Sequence, residues 1–284
     1  MARVNAVMQL RSMRLLQLSD PHLLADPGGC CRGRLPWQQL RHGALTALAQ
    51  ARAQGEPVDL LLISGDLCHD ESWCGYVLLR DLLSELGVPT ALVPGNHDHP
   101  QLLRAVLARH CAVAPALLPL QGVDLVLLDS HRSGSDAGWL GPRQLAWLTG
   151  VLAHRRRVPL LVALHHPPVP IGDPGFDAMA LVDAPELWRV LQDEPQLRAV
   201  LFGHIHQHWQ GLVPGRPQVT LLGCPSSLRA LGPVQPCPLG RPQDPGGRLL
   251  DCSPSGVLQQ RLLRWSAFET TSVGGCSALP HTGC

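Results

Sequence analysis

Along most of this chain, short apolar runs stop at a Gly, Asp, Asn or His, pass through a polar turn, and give way to an amphipathic stretch. The runs Arg14 to Leu18, Asp59 to Ile63, Thr90 to Val93, Val123 to Leu128, Leu160 to Leu164 and Ala199 to Phe202 are predicted strands. Helices are predicted at Trp37 to Gln54, Trp73 to Leu86, Gln101 to His110 and Pro185 to Leu191. A further helix to His154 opens on Pro142, a residue suited to a first helical turn. After Phe202 the pattern changes. Val219 to Leu222, Arg248 to Asp251 and Val257 to Leu263 read as strands without helices between them, with a Pro/Gly-rich loop at Pro233 to Gly247. Strand–helix alternation followed by a strand meander places the chain in the α/β or α+β class.

Five of these strands end in side chains that bind metals. The ends are Asp20-Pro21-His22, Gly65-Asp66, Gly95-Asn96-His97-Asp98, His165-His166 and Gly203-His204-Ile205-His206. Ligand crevices in open α/β sheets lie beyond the carboxyl ends of strands, so the five ends are expected to converge. In extended chain, residues two apart share a face, which predicts that Asp20 and His22 grip one ion together and that His204 and His206 repeat the device. The donors are oxygen and nitrogen with no thiolate, a set suited to Fe, Mn or Zn. One ion seldom takes seven side chains, whereas two ions sharing a carboxylate do, and such pairs serve phosphatases and nucleases.

The order Asp-x-His, Gly-Asp, Gly-Asn-His-Asp, His, Gly-His-x-His resembles that of the calcineurin-like metallophosphoesterases, from Leu15 to about Trp265. Leu18-Ser-Asp-Pro-His-Leu23, Pro94-Gly-Asn-His-Asp98, His165-His-Pro-Pro168, Gly203-His-Ile-His-Gln207 and the late Pro245-Gly-Gly-Arg-Leu-Leu-Asp251 are similar to bacterial class III 3′,5′-cyclic-AMP phosphodiesterases. The resemblance implies a four-layer αββα sandwich of two mixed β-sheets flanked by helices. It also implies two divalent metal ions, Fe or Mn first and Zn as the other option. Asp20, His22, Asp66 and His206 would hold one ion, and Asp66, Asn96, His165 and His204 the other. A hydroxide between the ions would attack a small phosphodiester lying against His22, Asp66, Asn96, His97 and His206. His97 would act on the phosphate or leaving group, with Asp98 orienting it. The implied reaction is hydrolysis of 3′,5′-cyclic AMP to AMP. Another diester or nucleotide hydrolysis at the same site, including a glycerophosphodiesterase, and a non-catalytic scaffold are the alternatives.

Other histidines carry weaker expectations. His166 is expected to point away from His165, and His208 to lie behind the site or on the surface. His69, His99 and His131 are candidates for a pocket rim. The loop Pro27 to Pro36, with Arg32 and Arg34, follows the first ligands and is equally suited to covering the pocket or to a plain surface role. Arg155-Arg156-Arg157 reads as a solvated helix end.

Composition limits the partners. The net charge of +1 gives no global field for nucleic acid or an anionic membrane. No apolar run reaches the roughly 18 residues of a membrane helix. The ten cysteines contain no Cys-x-x-Cys pair and are expected to be reduced thiols in a cytoplasmic protein, monomeric or homodimeric. The expected organisation is an extension at 1–13, one domain at 14–268 and a disordered tail at 269–284.

Overall fold

The computed structural model describes residues 11–55 and 57–269. The expected extension and tail therefore lie outside the described residues, apart from 11–13 and 269. Met13 is already paired in the first strand, opposite Cys252.

In chain order the elements are β1 (Met13–Leu18), α1 (Pro36–Ala53), β2 (Leu60–Ser64), α2 (Trp73–Leu86), β3 (Thr90–Val93), α3 (Pro100–Leu107), β4 (Ala112–Val113), β5 (Ala116–Pro119), β6 (Asp124–Leu127), α4 (Gly141–His154), β7 (Leu160–Ala163), α5 (Pro174–Ala178), α6 (Ala184–Leu191), β8 (Leu197–Phe202), β9 (Trp209–Val213), β10 (Arg216–Gly223), β11 (Gly246–Cys252) and β12 (Leu258–Arg264). They form two six-stranded mixed sheets, ordered β12-β11-β1-β2-β3-β4 and β5-β6-β7-β8-β10-β9.

Period-two alternation sorts each strand between two environments. Leu16, Leu18, Leu61 and Ile63 face outward and pack with Leu40, Ala44, Leu79, Leu83 and Leu103 from α1, α2 and α3. Leu15, Leu60 and Leu62 face inward and meet Leu125, Leu127, Leu161, Ala163, Ala199 and Leu201 of the other sheet. That second sheet turns Val126, Val162 and Val200 outward onto Leu148, Leu187 and Leu191 of α4 and α6. Both faces of each sheet are covered, and for that reason the strands read as continuous apolar runs. The result is helix, sheet, sheet, helix.

The expected terminal meander is instead divided. β9 and β10 pair antiparallel beside β8, whereas β11 crosses over to pair antiparallel with β1 and then with β12. Arg248 secures that crossing. Fully buried on β11, it donates to the carbonyls of Gly223 and Trp209, to Gln260 Oε1, and meets His208 Nδ1 at 2.9 Å. His208 is thus buried behind the site. The Arg155 to Arg157 run departs from expectation in part. The Arg155 side chain is only 3% exposed and is paired with Asp124 and Glu194, so it ties the end of α4 to β6 and to the segment after α6, while Arg156 and Arg157 remain exposed as expected.

The thiols of Cys68, Cys74, Cys111, Cys224, Cys237 and Cys252 are free. Cys30 is disulfide-bonded, contrary to the expectation that every cysteine is reduced. Among the described residues no helix is long and apolar enough to cross a membrane.

Candidate metal centre

The carboxyl ends of three adjacent parallel strands, β1, β2 and β3, lie opposite those of the adjacent parallel pair β7 and β8. Side chains from these five ends form two donor groups. In the first, His22 Nε2 lies 3.0 Å from His206 Nε2 and 3.7 Å from Asp66 Oδ2, and His206 Nε2 lies 3.5 Å from Asp20 Oδ1. In the second, Asn96 Oδ1, His165 Nε2 and His204 Nδ1 stand 3.0–3.3 Å apart, with Asp66 Oδ1 3.3 Å from His165 Nε2. The two oxygens of Asp66 therefore face different groups.

The local backbone is not the extended chain that the spacing suggested. Asp20, His22, Asp66, His204 and His206 all have φ between 48° and 68°, in the left-handed region. Asn96, the residue type that best tolerates that region, does not occupy it. Side chains are aimed by these turns and not by strand alternation. Strain of this kind persists only when the surroundings over-determine it. Here the two loops bond to each other, with Asp20 N donating to Gly65 O at 3.1 Å and His22 N to Asp66 O at 2.9 Å. Beneath them Ser19 Oγ donates to Ser64 O, and Ser226 and Ser227 hydroxyls donate to the carbonyls of Asp20 and Ser19. Two glycines allow the close approach. A Cβ on Gly95 would sit 2.1 Å from Asp66 Oδ1, and one on Gly65 would sit 2.1 Å from His165 Nδ1.

The chemistry of the donors tests whether metal fits. Arms of about 2.0–2.1 Å put neighbouring donors on one ion roughly 2.9–3.4 Å apart. The second group has that spacing and the first approaches it. Asp20 Oδ2 is fully buried without a hydrogen-bond partner, the condition of a ligand oxygen awaiting a cation. Burial, against the pull of Asp66, holds His22 well below the ordinary imidazole range. Burial, then the charge of Arg32, does the same to His206, and burial with neighbouring His165 takes His204 to about 3. Each such ring is neutral and has a lone pair to offer. Burial works to raise Asp66, but the imidazoles around it, His165 first, hold its carboxyl well below the usual range. Burial pulls His165 down, and Asp66 overcomes it and lifts the ring to about 9. The residues fit two divalent ions, and loading them releases protons.

His166 shares the second cluster by position. Both its nitrogens are engaged, however, Nδ1 with Ser130 Oγ at 2.8 Å and Nε2 with the Asp136 carbonyl at 3.1 Å. His97 is half-buried beside the first group, its ring 5.2 Å from that of His22 and 4.6 Å from that of His69. Among the rim candidates, His69 meets His22, His131 Nδ1 bonds the Gly95 carbonyl, and His99 caps α3. Within the loop at 27–36, the charge of Arg32 acts on His22, His69, His204 and His206.

Asp98 does not orient His97. Its carboxylate is fully buried and accepts from Leu67 N, Cys68 N, Gly95 N and the Tyr76 hydroxyl, at 2.8–3.1 Å. It fastens the Asp66 loop to the Asn96 loop. Asp98→Asn keeps one acceptor and turns an NH2 toward amide donors, and we expect a loss of about 2–4 kcal/mol. A shift of the chemical-unfolding midpoint checks this, and an unchanged midpoint refutes it. Phe176 was also not anticipated. It packs edge-on against His204, with ring centroids 5.6 Å apart. The signal was present in Asp173-Pro174, where the Asp173 side chain accepts from Gly175 N and Phe176 N to start the short helix α5.

A family model described as calcineurin-like phosphoesterase matches residues 13–208. A probable cyclic nucleotide phosphodiesterase of Synechococcus sp. strain WH7803 is 50% identical over 267 residues, 90% of this chain and 98% of that one. The 3′,5′-cyclic adenosine monophosphate phosphodiesterase CpdA of Pseudomonas aeruginosa is 32% identical over 78% of this chain and 79% of its own length. CpdA of Escherichia coli K12 is 32% identical over 70% and 73%. Among solved structures, a dimetal phosphatase of Danio rerio shares the fold with a TM-score of 0.61 at 14% identity, over 90% of this chain and 100% of that one.

Proposed function

The chain belongs to the calcineurin-like phosphoesterase family and is a dinuclear metal phosphoesterase, and from that premise we propose that it is a phosphodiesterase that hydrolyses 3′,5′-cyclic AMP to AMP. The observation that carries the dinuclear chemistry is the placement of Asp66, with one oxygen toward His22 and the other toward His165. The choice of a cyclic nucleotide rests on the likeness to relatives named for that activity.

Asp20, His22, Asp66 and His206 would hold the first ion, and Asp66, Asn96, His165 and His204 the second. The donor set, without thiolate, suits iron, manganese or zinc, and the family likeness puts iron or manganese first. Bound there, the ions supply Lewis acidity toward a phosphoryl oxygen and make water acidic enough to attack near neutral pH. The chain's own part is to fix the phosphate between the two groups and to manage the proton. Water adds to phosphorus, the bond from phosphorus to the 3′-oxygen breaks, and that oxygen takes up a proton. His97, whose ring lies 5.2 Å from that of His22, would deliver it.

The test reconstitutes metal-free protein with Mn(II), Fe(II) or Zn(II) and offers cyclic AMP, a glycerophosphodiester, a chromogenic diester and a chromogenic monoester. We expect AMP from cyclic AMP, with a higher kcat/KM than for the other diesters. Turnover of the monoester alone would overturn the diesterase reading, and preference for the glycerophosphodiester would overturn the substrate.

A further inference from the structure

The nitrogen that an imidazole turns toward a metal is decided by what holds its other nitrogen. His165 shows the usual device. Its Nδ1–H donates to the Ser64 carbonyl at 2.8 Å, which leaves the Nε2 lone pair facing Asn96 and His204. For His22 that place is taken by another side chain, since its Nδ1 lies 3.3 Å from Nδ1 of His69. We propose that His69 is a positioning residue that selects the His22 tautomer and thereby completes the first metal site. The inference rests on the ligand assignment above.

Two imidazole nitrogens facing each other share one proton between them. His22 Nε2 faces Asp66 Oδ2 and His206 Nε2, where a cation needs its lone pair. The His22 proton then sits on Nδ1 and is donated to His69 Nδ1. His69 is the acceptor and carries its own proton on Nε2. In the opposite arrangement His22 would present an N–H to the ion and bind nothing. A carbonyl can only accept and so enforces one tautomer outright. An imidazole does so only if it is itself held in place, and the backbone of His69 is tied to that of Leu23.

Its backbone N–H donates to the Leu23 carbonyl at 2.8 Å, one residue from His22. Leu23 N in turn donates to Leu67 O at 2.9 Å, and Leu23 and Cys68 form a parallel bridge. The loops bearing the two rings are therefore one zipped unit. The His69 ring stands nearly edge-on to His22, with centroids 5.2 Å apart and planes at 72°, and His97 lies 4.6 Å from it. The three rings form a triangle, since those of His22 and His97 are themselves 5.2 Å apart, and His69 supports His97 from one side.

Two substitutions separate acceptor from bulk. His69→Asn places an amide oxygen where Nδ1 lies, and His69→Leu keeps comparable volume without an acceptor. Metal-free full-length protein is titrated with Co(II) and bound ion is measured by equilibrium dialysis. We expect two ions on the wild type and on the Asn variant. In the Leu variant one of the two affinities should fall by about 10–100-fold with the other unchanged. Tight binding of both ions by the Leu variant overturns the proposal, as does an Asn variant as weak as Leu. Wild-type protein that fails to bind two Co(II) ions would instead strike down the ligand assignment itself.

Discussion

His97→Ala retains both metal ions and loses turnover by about 10²–10⁴-fold, the contribution of a positioned proton donor. The backbone and the ring of His97 do different things. Its backbone N–H donates to Asp66 Oδ1 at 3.0 Å and helps to hold that carboxylate. That bond survives in the alanine variant. The ring contributes to neither donor group's short contacts. It lies beyond them, half-buried and 5.2 Å from His22. Removing it should spare the metal centre and remove the group proposed to protonate the leaving oxygen. Metal content and single-turnover rates, measured on the same preparation, check both halves. A missing ion would make His97 a ligand, and an undiminished rate would remove it from the chemistry. If the loss falls in kcat with KM little changed, the ring acts in the transition state and not in binding.

The sequence made the strand ends legible because each apolar run is buried on two faces and stops at a residue that cannot be buried alone. Thr90–Val93 and Trp73–Leu86 lie at their expected bounds, and each long helix begins and ends within three residues of expectation. Ala112–Val113, Ala116–Pro119 and Trp209–Val213 were not anticipated, since they are short or half-exposed and leave little periodicity to read. The crossing of Gly246–Cys252 to the first sheet follows from pairing with Met13–Leu18, a contact between distant parts of the chain that local pattern does not carry. At the site, residue type revealed the donors but misled about their geometry. Positive φ at Asp20, His22 and Asp66 is imposed by the bonds between their two loops. The same limit explains Asp98. Its position beside His97 suggested a carboxylate–imidazole pair, yet its partners are the amides of Leu67, Cys68 and Gly95, whose N–H groups have no sequence signature. Ser64 supports His165 through a carbonyl and is silent for the same reason.

The largest loss is expected from Asp66→Ala, which should release at least one ion and lower turnover by more than the roughly 10–100-fold that an outer-shell change costs. No other side chain belongs to both groups. Oδ2 is turned to His22 at 3.7 Å and Oδ1 to His165 at 3.3 Å, and without them each group keeps three donors and loses the charge between them. The effect is not confined to coordination. His165 is held near pKa 9 by this carboxylate against burial that would lower it, so in the variant its ring loses its principal partner. Asp66→Asn sharpens the reading, because it preserves shape and one oxygen while removing the charge. If the bridge is what matters, Asn should fall between Ala and wild type in metal affinity and close to Ala in turnover. Metal analysis and kcat on the three proteins decide it. Two ions retained by the Ala variant would mean that the groups are independent sites, and the shared carboxylate would then lose its place in the mechanism.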